Sequence, residues 1–89
     1  MTSPLERNWL CYLLRCADDT LYCGITNDLD KRLAAHNAGT AAKYTRARGP
    51  VALAYVERCE GKSAALKREM AIKALPRAAK LELIITMQH

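Results

Sequence analysis

The sequence predicts an α/β fold of the α+β kind, a small three-stranded antiparallel sheet flanked by about three helices. Three observations predict it. Two short apolar runs lie either side of an Asp-Asp turn, and a third run rich in strand formers follows a Gly-Pro break. Three further segments carry helical spacing or capping signals. At 89 residues the chain forms one domain, spanning 1–89, without room for a second core.

The first two strands are Trp9 to Cys16 and Leu21 to Ile25, joined through Ala17-Asp-Asp-Thr20. Their register matters because side chains alternate between faces. A two-residue turn at Asp18-Asp19 would put Tyr12 and Tyr22 on opposite faces. A three-residue loop, Asp18 to Thr20, pairs Ala17 with Leu21 and Cys16 with Tyr22, and both tyrosines then share a face; this is the expected register. A helix follows, with Asn27 as N-cap, Asp28 and Asp30 at the positive end of its dipole, and Asn37-Ala-Gly39 as a left-handed stop. Leu29 and Leu33 form its buried stripe, and Arg32 and His36, also four apart, stack along one flank. Thr40 to Pro50 reads as a connecting loop and Val51 to Val56 as the third strand. Gly61-Lys62-Ser63 opens a second helix that runs through Leu75, with Ser63 as cap, Leu66 and Met70 inward, and Glu69 at the border of that stripe. Pro76 to Met87 is the last helix, begun by a proline suited to a first turn and packing Leu81, Ile84 and Ile85.

The formal charge is +5, and its placement says more than its total. From Lys31 to Val56 the chain carries Lys31, Arg32, Lys43, Arg46 and Arg48 and no acidic residue. Such a patch suits a polyanion, or equally a well-solvated surface, so a site has to decide between them. The four cysteines, Cys11, Cys16, Cys23 and Cys59, contain no CxxC pair, which disfavours a zinc site; they read as packing thiols of a reducing compartment. Met1 to Asn8 is polar and lacks the apolar stretch of a signal peptide, and no run is long enough to span a membrane. The expected location is the cytosol, with no membrane partner.

Taken together, Leu10-Cys-Tyr12, the hairpin, Tyr22-Cys-Gly24-Ile-Thr26, Arg32-Leu-Ala-Ala-His36-Asn37 and Ala65-Leu66-Lys-Arg-Glu69 resemble the GIY-YIG nuclease superfamily. That superfamily includes the N-terminal domain of a bacterial excision-repair nuclease, some homing and restriction endonucleases, and Slx1-like structure-selective nucleases. The short stand-alone bacterial members are the nearest likeness. The segment from Gly39 to Leu53, with Ala-Lys-Tyr-Thr-Arg-Ala-Arg-Gly-Pro at its centre, is similar to a loop that they share with the Slx1-like proteins. The likeness covers about residues 9 to 75, and it is the combined spacing that makes it specific. There are departures. The first motif keeps its tyrosine, Tyr12, but not its Gly and Ile; Cys23 replaces the Ile of the second; and the late Asn of some homing enzymes has no counterpart.

The resemblance implies a GIY-YIG endonuclease fold and a metal-dependent endonuclease that hydrolyses DNA, leaving a 5′-phosphate and a 3′-hydroxyl, in repair or recombination. Such hydrolysis needs an activated water, neutralised charge at phosphorus and help for the departing oxygen. On the matching positions, Glu69 is the implied ligand of one divalent ion, Mg²⁺ or Mn²⁺, which takes one carboxylate plus waters readily. Tyr12 and Tyr22 are implied to position or deprotonate the attacking water. A phenol near its ordinary pKa of about 10 is a poor base unless a neighbour lowers it. Arg32 would clamp the phosphate through its fixed fork, and His36 would orient a tyrosine hydroxyl or carry a proton. Lys43, Arg46 and Arg48 are expected phosphate contacts that position DNA without reading its sequence. With no second recognition module, the chain is expected to select single strands, flaps or branches. A catalytically silent binding module of a repair complex, and an RNA substrate, are the competing readings, and a protein partner stays open.

Overall fold

The computed structural model describes residues 9–87, so the polar Met1–Asn8 segment lies outside the described residues. Strand β1 (Trp9–Arg15) is central, with β2 (Leu21–Thr26) on one side and β3 (Ala52–Cys59) on the other, both antiparallel to it. Helix α1 (Leu29–Asn37) and the single-turn α2 (Lys43–Arg46) connect β2 to β3, and α3 (Lys62–Lys73) and α4 (Arg77–Met87) follow. The segment expected to be loop throughout thus contains α2.

The β1–β2 hairpin has the expected three-residue loop, displaced by one position. Cys16 N–H donates to the Thr20 carbonyl at 2.9 Å, so the loop is Ala17–Asp19 and not Asp18–Thr20. Asp19 adopts φ 67°, the left-handed third position that a loop of this length requires. Asp is among the few residues with a side chain that tolerate it. The Asp18 carboxylate accepts from the Thr20 hydroxyl at 2.6 Å and braces the turn. The ladder pairs Tyr12 with Gly24 and Leu14 with Tyr22. A shift of one loop position moves every pair by two residues, which preserves facing, so Tyr12 and Tyr22 share a face as expected.

Both faces of the sheet are buried. On one, Cys11, Leu13, Cys23 and Cys59 pack against Ala65 and Ile72 of α3 and Ile84 of α4. On the other, Tyr12, Leu14, Cys16 and Val51 meet Leu29 and Leu33 of α1. A register shift in β3 opposite Leu13 and Leu14 inserts Ala54, which keeps Leu53 on the same face as Leu14. All four cysteines are buried thiols outside any disulfide, Cys11 Sγ lying 3.8 Å from Cys23 Sγ, which matches their reading as packing groups.

The helices correct four expectations. Asp28, not Asn27, caps α1, its carboxylate accepting the Lys31 N–H at 3.2 Å. Gly61, not Ser63, caps α3, without a side-chain bond. Leu66 and Met70 point to solvent, because the buried line of α3 runs through Ala65 and Ile72. These two are seven apart and so fall on one face, and a small residue at 65 lets the helix approach the sheet closely. In α4, Leu83 packs inward alongside Leu81 and Ile84, while Ile85 is exposed.

Candidate active site

A hydrogen-bonded chain of three buried side chains lies under α1. Tyr12 Oη is 2.9 Å from His36 Nε2, and His36 Nδ1 is 2.8 Å from Thr45 Oγ1. The exposures of the three residues are 2%, 1% and 0%. Local structure explains how residues so distant in sequence meet. His36 occupies the last turn of α1. Gly39, at φ 80°, then reverses the chain so that α2 returns against α1 and turns Thr45 inward. Asn37 fixes the other end of the connection, accepting from Val51 N–H at 2.7 Å and donating to its carbonyl at 3.2 Å. Opposite Tyr12, Gly24 leaves the space the phenol occupies, since a Cβ there would fall 2.5 Å from Oη.

Burial governs the electrostatics. It pushes the Tyr12 phenol well above its ordinary 10, with Tyr22 adding to the effect and the Arg32 cation opposing it. The His36 imidazole is held below its usual 6.5, by burial first and by Arg32 second. His36 is therefore neutral at physiological pH, and Tyr12 is protonated.

Tyr22 is only partly buried and packs edge-on against His36, with ring centroids 5.1 Å apart. Tyr44 stacks on Tyr22 at 5.7 Å and 30°. The Arg48 guanidinium lies 4.0 Å over the Tyr44 ring, donates to the Tyr44 carbonyl at 2.8 Å, and bonds Asp18 in the hairpin loop at 3.1 Å. Arg48 thus braces the aromatic row against the hairpin, whereas Lys43 and Arg46 are exposed on α2.

Arg32 is exposed one turn before His36. With Asn27, Lys31 and Thr40 it lines a groove of about 340 Å³ along α1. Glu69 comes from the opposite layer. Its side chain is 18% exposed and forms a 3.4 Å ion pair with Lys73, one helical turn on. The structure therefore joins Tyr12, Tyr22 and His36 in direct contact and sets Arg32 one helical turn before His36, while Glu69 stays on α3 in its pair with Lys73 and touches none of the four among the described contacts. Among the described residues no three His, Cys, Asp or Glu gather as a metal-binding group. A lone carboxylate of this kind suits a cation that keeps most of its water, as Mg²⁺ does, and does not suit zinc.

Sequence reasoning missed Thr45, Tyr44 and the reason for Gly24. A Thr nine residues beyond a His shows no periodicity, and only the returning α2 creates the contact. Tyr44 carried a signal, an aromatic interleaved with Lys43 and Arg46.

Sequence comparison places a chain with this arrangement, a tyrosine-bearing antiparallel hairpin under a helix carrying Arg and His, in a family of nucleases. Residues 8–82 match the GIY-YIG catalytic domain, and the chain belongs to the GIY-YIG family, a family of nucleases that act on nucleic acid. Its relatives include UPF0213 proteins. One from Natronomonas pharaonis is 53% identical, over 82% of this chain and 86% of its own. One from Clostridium perfringens is 56% identical, over 82% and 78% respectively. Two solution NMR structures share the fold at 38% identity. The UPF0213 protein of Bacillus halodurans gives a TM-score of 0.57, covering 89% of this chain and 84% of that one. A protein of E. faecalis gives 0.61, covering 91% and 86%. No described helix is long and apolar enough to cross a membrane.

Proposed function

We propose that this chain is a metal-dependent endonuclease that hydrolyses DNA phosphodiester bonds and prefers single-stranded or branched substrates. The observation that carries the reading is the contact cluster of Tyr12, Tyr22 and His36 beside the exposed guanidinium of Arg32. Arg32 supplies a bidentate grip on the scissile phosphate. Tyr22, the accessible tyrosine, meets the attacking water, while the buried Tyr12 holds His36 in place behind it. Glu69 would hold one divalent ion, Mg²⁺ or Mn²⁺, in place of its long ion pair with Lys73. When bound, the ion neutralises charge on the phosphate and lowers the pKa of a coordinated water. Lys43 and Arg46 contact flanking phosphates, and Arg48 acts through Tyr44. A single short basic helix reads no sequence, and flexible strands reach a shallow groove with little deformation cost.

The test is a panel of single-stranded, flap, branched and duplex DNA with a matching RNA, each with Mg²⁺ or Mn²⁺. Glu69→Gln and Arg32→Ala serve as controls. Cleavage of DNA that needs metal and is abolished by both changes supports the proposal. The Glu69–Lys73 pair also permits a binding-only module; retention of DNA binding without cleavage under any condition would establish that reading instead. Preferential cutting of the RNA would reassign the substrate.

A further inference from the structure

We infer that Thr45 is a positioning residue whose hydroxyl fixes His36 as the Nδ1-protonated tautomer, making Nε2 the acceptor of the Tyr12 hydroxyl proton. The inference rests on the nuclease reading for its consequence, but the tautomer follows from the geometry.

Three protons and three acceptors decide it. Thr45 has one hydroxyl proton, and the Ala42 carbonyl, 3.2 Å from Oγ1, can only accept it. Once that proton is used, Oγ1 is an acceptor toward His36, so Nδ1 carries a hydrogen. A neutral imidazole then has a bare Nε2, and the Tyr12 hydroxyl donates to it across 2.9 Å. Every proton in the chain has an acceptor. In the reverse arrangement Thr45 donates to Nδ1, and Nε2–H donates to Tyr12. The Ala42 carbonyl then loses its hydroxyl partner, and the buried Tyr12 proton has no acceptor among the described contacts. Leaving such a group unpaired in a buried position is costly.

The direction of the chain has a chemical result. With its hydrogen committed to His36, Tyr12 offers the site lone pairs alone, so any group that approaches its oxygen must donate to it and cannot accept from it. Thr45 also pins the ring against which Tyr22 packs. It sets the polarity of the site without touching substrate.

The experiment is multiple-bond ¹⁵N–¹H NMR of the histidine rings in the full chain, which holds only His36 and His89. Wild type is expected to show Nδ1 protonated and Nε2 bare for His36. Thr45→Val, which keeps the shape and removes the acceptor, is expected to move the proton to Nε2, and Thr45→Ser to restore the wild-type pattern. In cleavage assays Thr45→Val should lower kcat on the order of a hundredfold, the scale of a misplaced reacting group, with KM for DNA little changed. Thr45→Ser should recover it. Nε2 protonated in wild type overturns the inference, as does an unchanged tautomer in Thr45→Val. Should Thr45→Val fail to fold, the wild-type spectrum and Thr45→Ser still decide. The predicted tautomer in a protein that cleaves nothing would sink the nuclease reading and leave the assignment of Thr45 standing.

Discussion

Adding one methyl group at Gly24 should break the centre of the molecule. A Cβ there would lie 2.5 Å from Tyr12 Oη, 2.7 Å from Cζ and 3.2 Å from Cε1. Ordinary carbon contacts need about 3.5 Å or more, so the phenol must retreat by roughly 1 Å. It has nowhere to go without loss. Tyr12 is 2% exposed, and its hydroxyl sits 2.9 Å from His36. A shift of that size away from His36 takes the bond beyond hydrogen-bonding range. Overpacking a tight core costs about 1–3 kcal/mol, and a buried polar group stranded without its partner costs about 1–3 kcal/mol more. Gly24→Ala is therefore expected to lose about 2–6 kcal/mol. At roughly 4–8 °C per kcal/mol for a domain of this size, Tm should fall by at least about 8 °C. Thermal unfolding followed by circular dichroism reads this directly. Gly61→Ala, where nothing lies within 4 Å, is the control and should change little. Because the nearest contact is the hydroxyl, Tyr12→Phe should be less damaging in the Gly24→Ala background than alone, a non-additive coupling of neighbours. Gly24→Ala as stable as wild type would refute the close-approach argument, and strict additivity would show that the two positions do not compete for space.

Stability should decline as pH falls from 7 to 5. The His36 pKa is lowered in the fold, so below about 6.5 the unfolded chain takes up a proton that the native state resists; His36→Gln should flatten this part of the Tm profile. Ile72→Ala, at a fully buried position, should cost about 2–5 kcal/mol in urea unfolding. Met70→Ala, at 71% exposure, should stay within about 0.5 kcal/mol. In DNA-binding titrations over salt, Lys43→Ala and Arg46→Ala should each reduce the salt slope by about 1. Arg48→Ala should instead lower Tm and leave the slope nearly unchanged, since its guanidinium is held by Tyr44 and Asp18.

The sheet was legible because alternation and turn chemistry are local. The strand-forming run before Glu57, the Asp-rich loop and the Gly39 stop each act within a few residues. The facing of Tyr12 and Tyr22 followed from parity alone, even with the loop misplaced by one. What resisted reading was decided by packing. Leu66 and Met70 looked inward because they are large and apolar, yet closeness to the sheet favoured Ala65. Arg48 looked like its neighbours Lys43 and Arg46 until Tyr44 and Asp18 captured it. Of the expected site residues, Arg32 and His36 could be paired by helical spacing. The partnership of His36 with Thr45 needed the fold, because only the reversal at Gly39 brings them together.

The closing pair of the hairpin, Cys16 with Thr20, has a consequence for length variation. A residue inserted or deleted within Ala17–Asp19 can be absorbed by the loop, with Cys16 still opposite Thr20 and every pair of the ladder kept. One inserted in β2 between that closing pair and Tyr22 would instead slide the register by one and turn the rest of the strand over. Tyr22 would then emerge on the Cys11 face, and Cys23 would confront His36. Homologous domains built on this hairpin should therefore vary in length at the loop and keep the strand spacing on either side of it, a rule that can be checked in any pair of related coordinates.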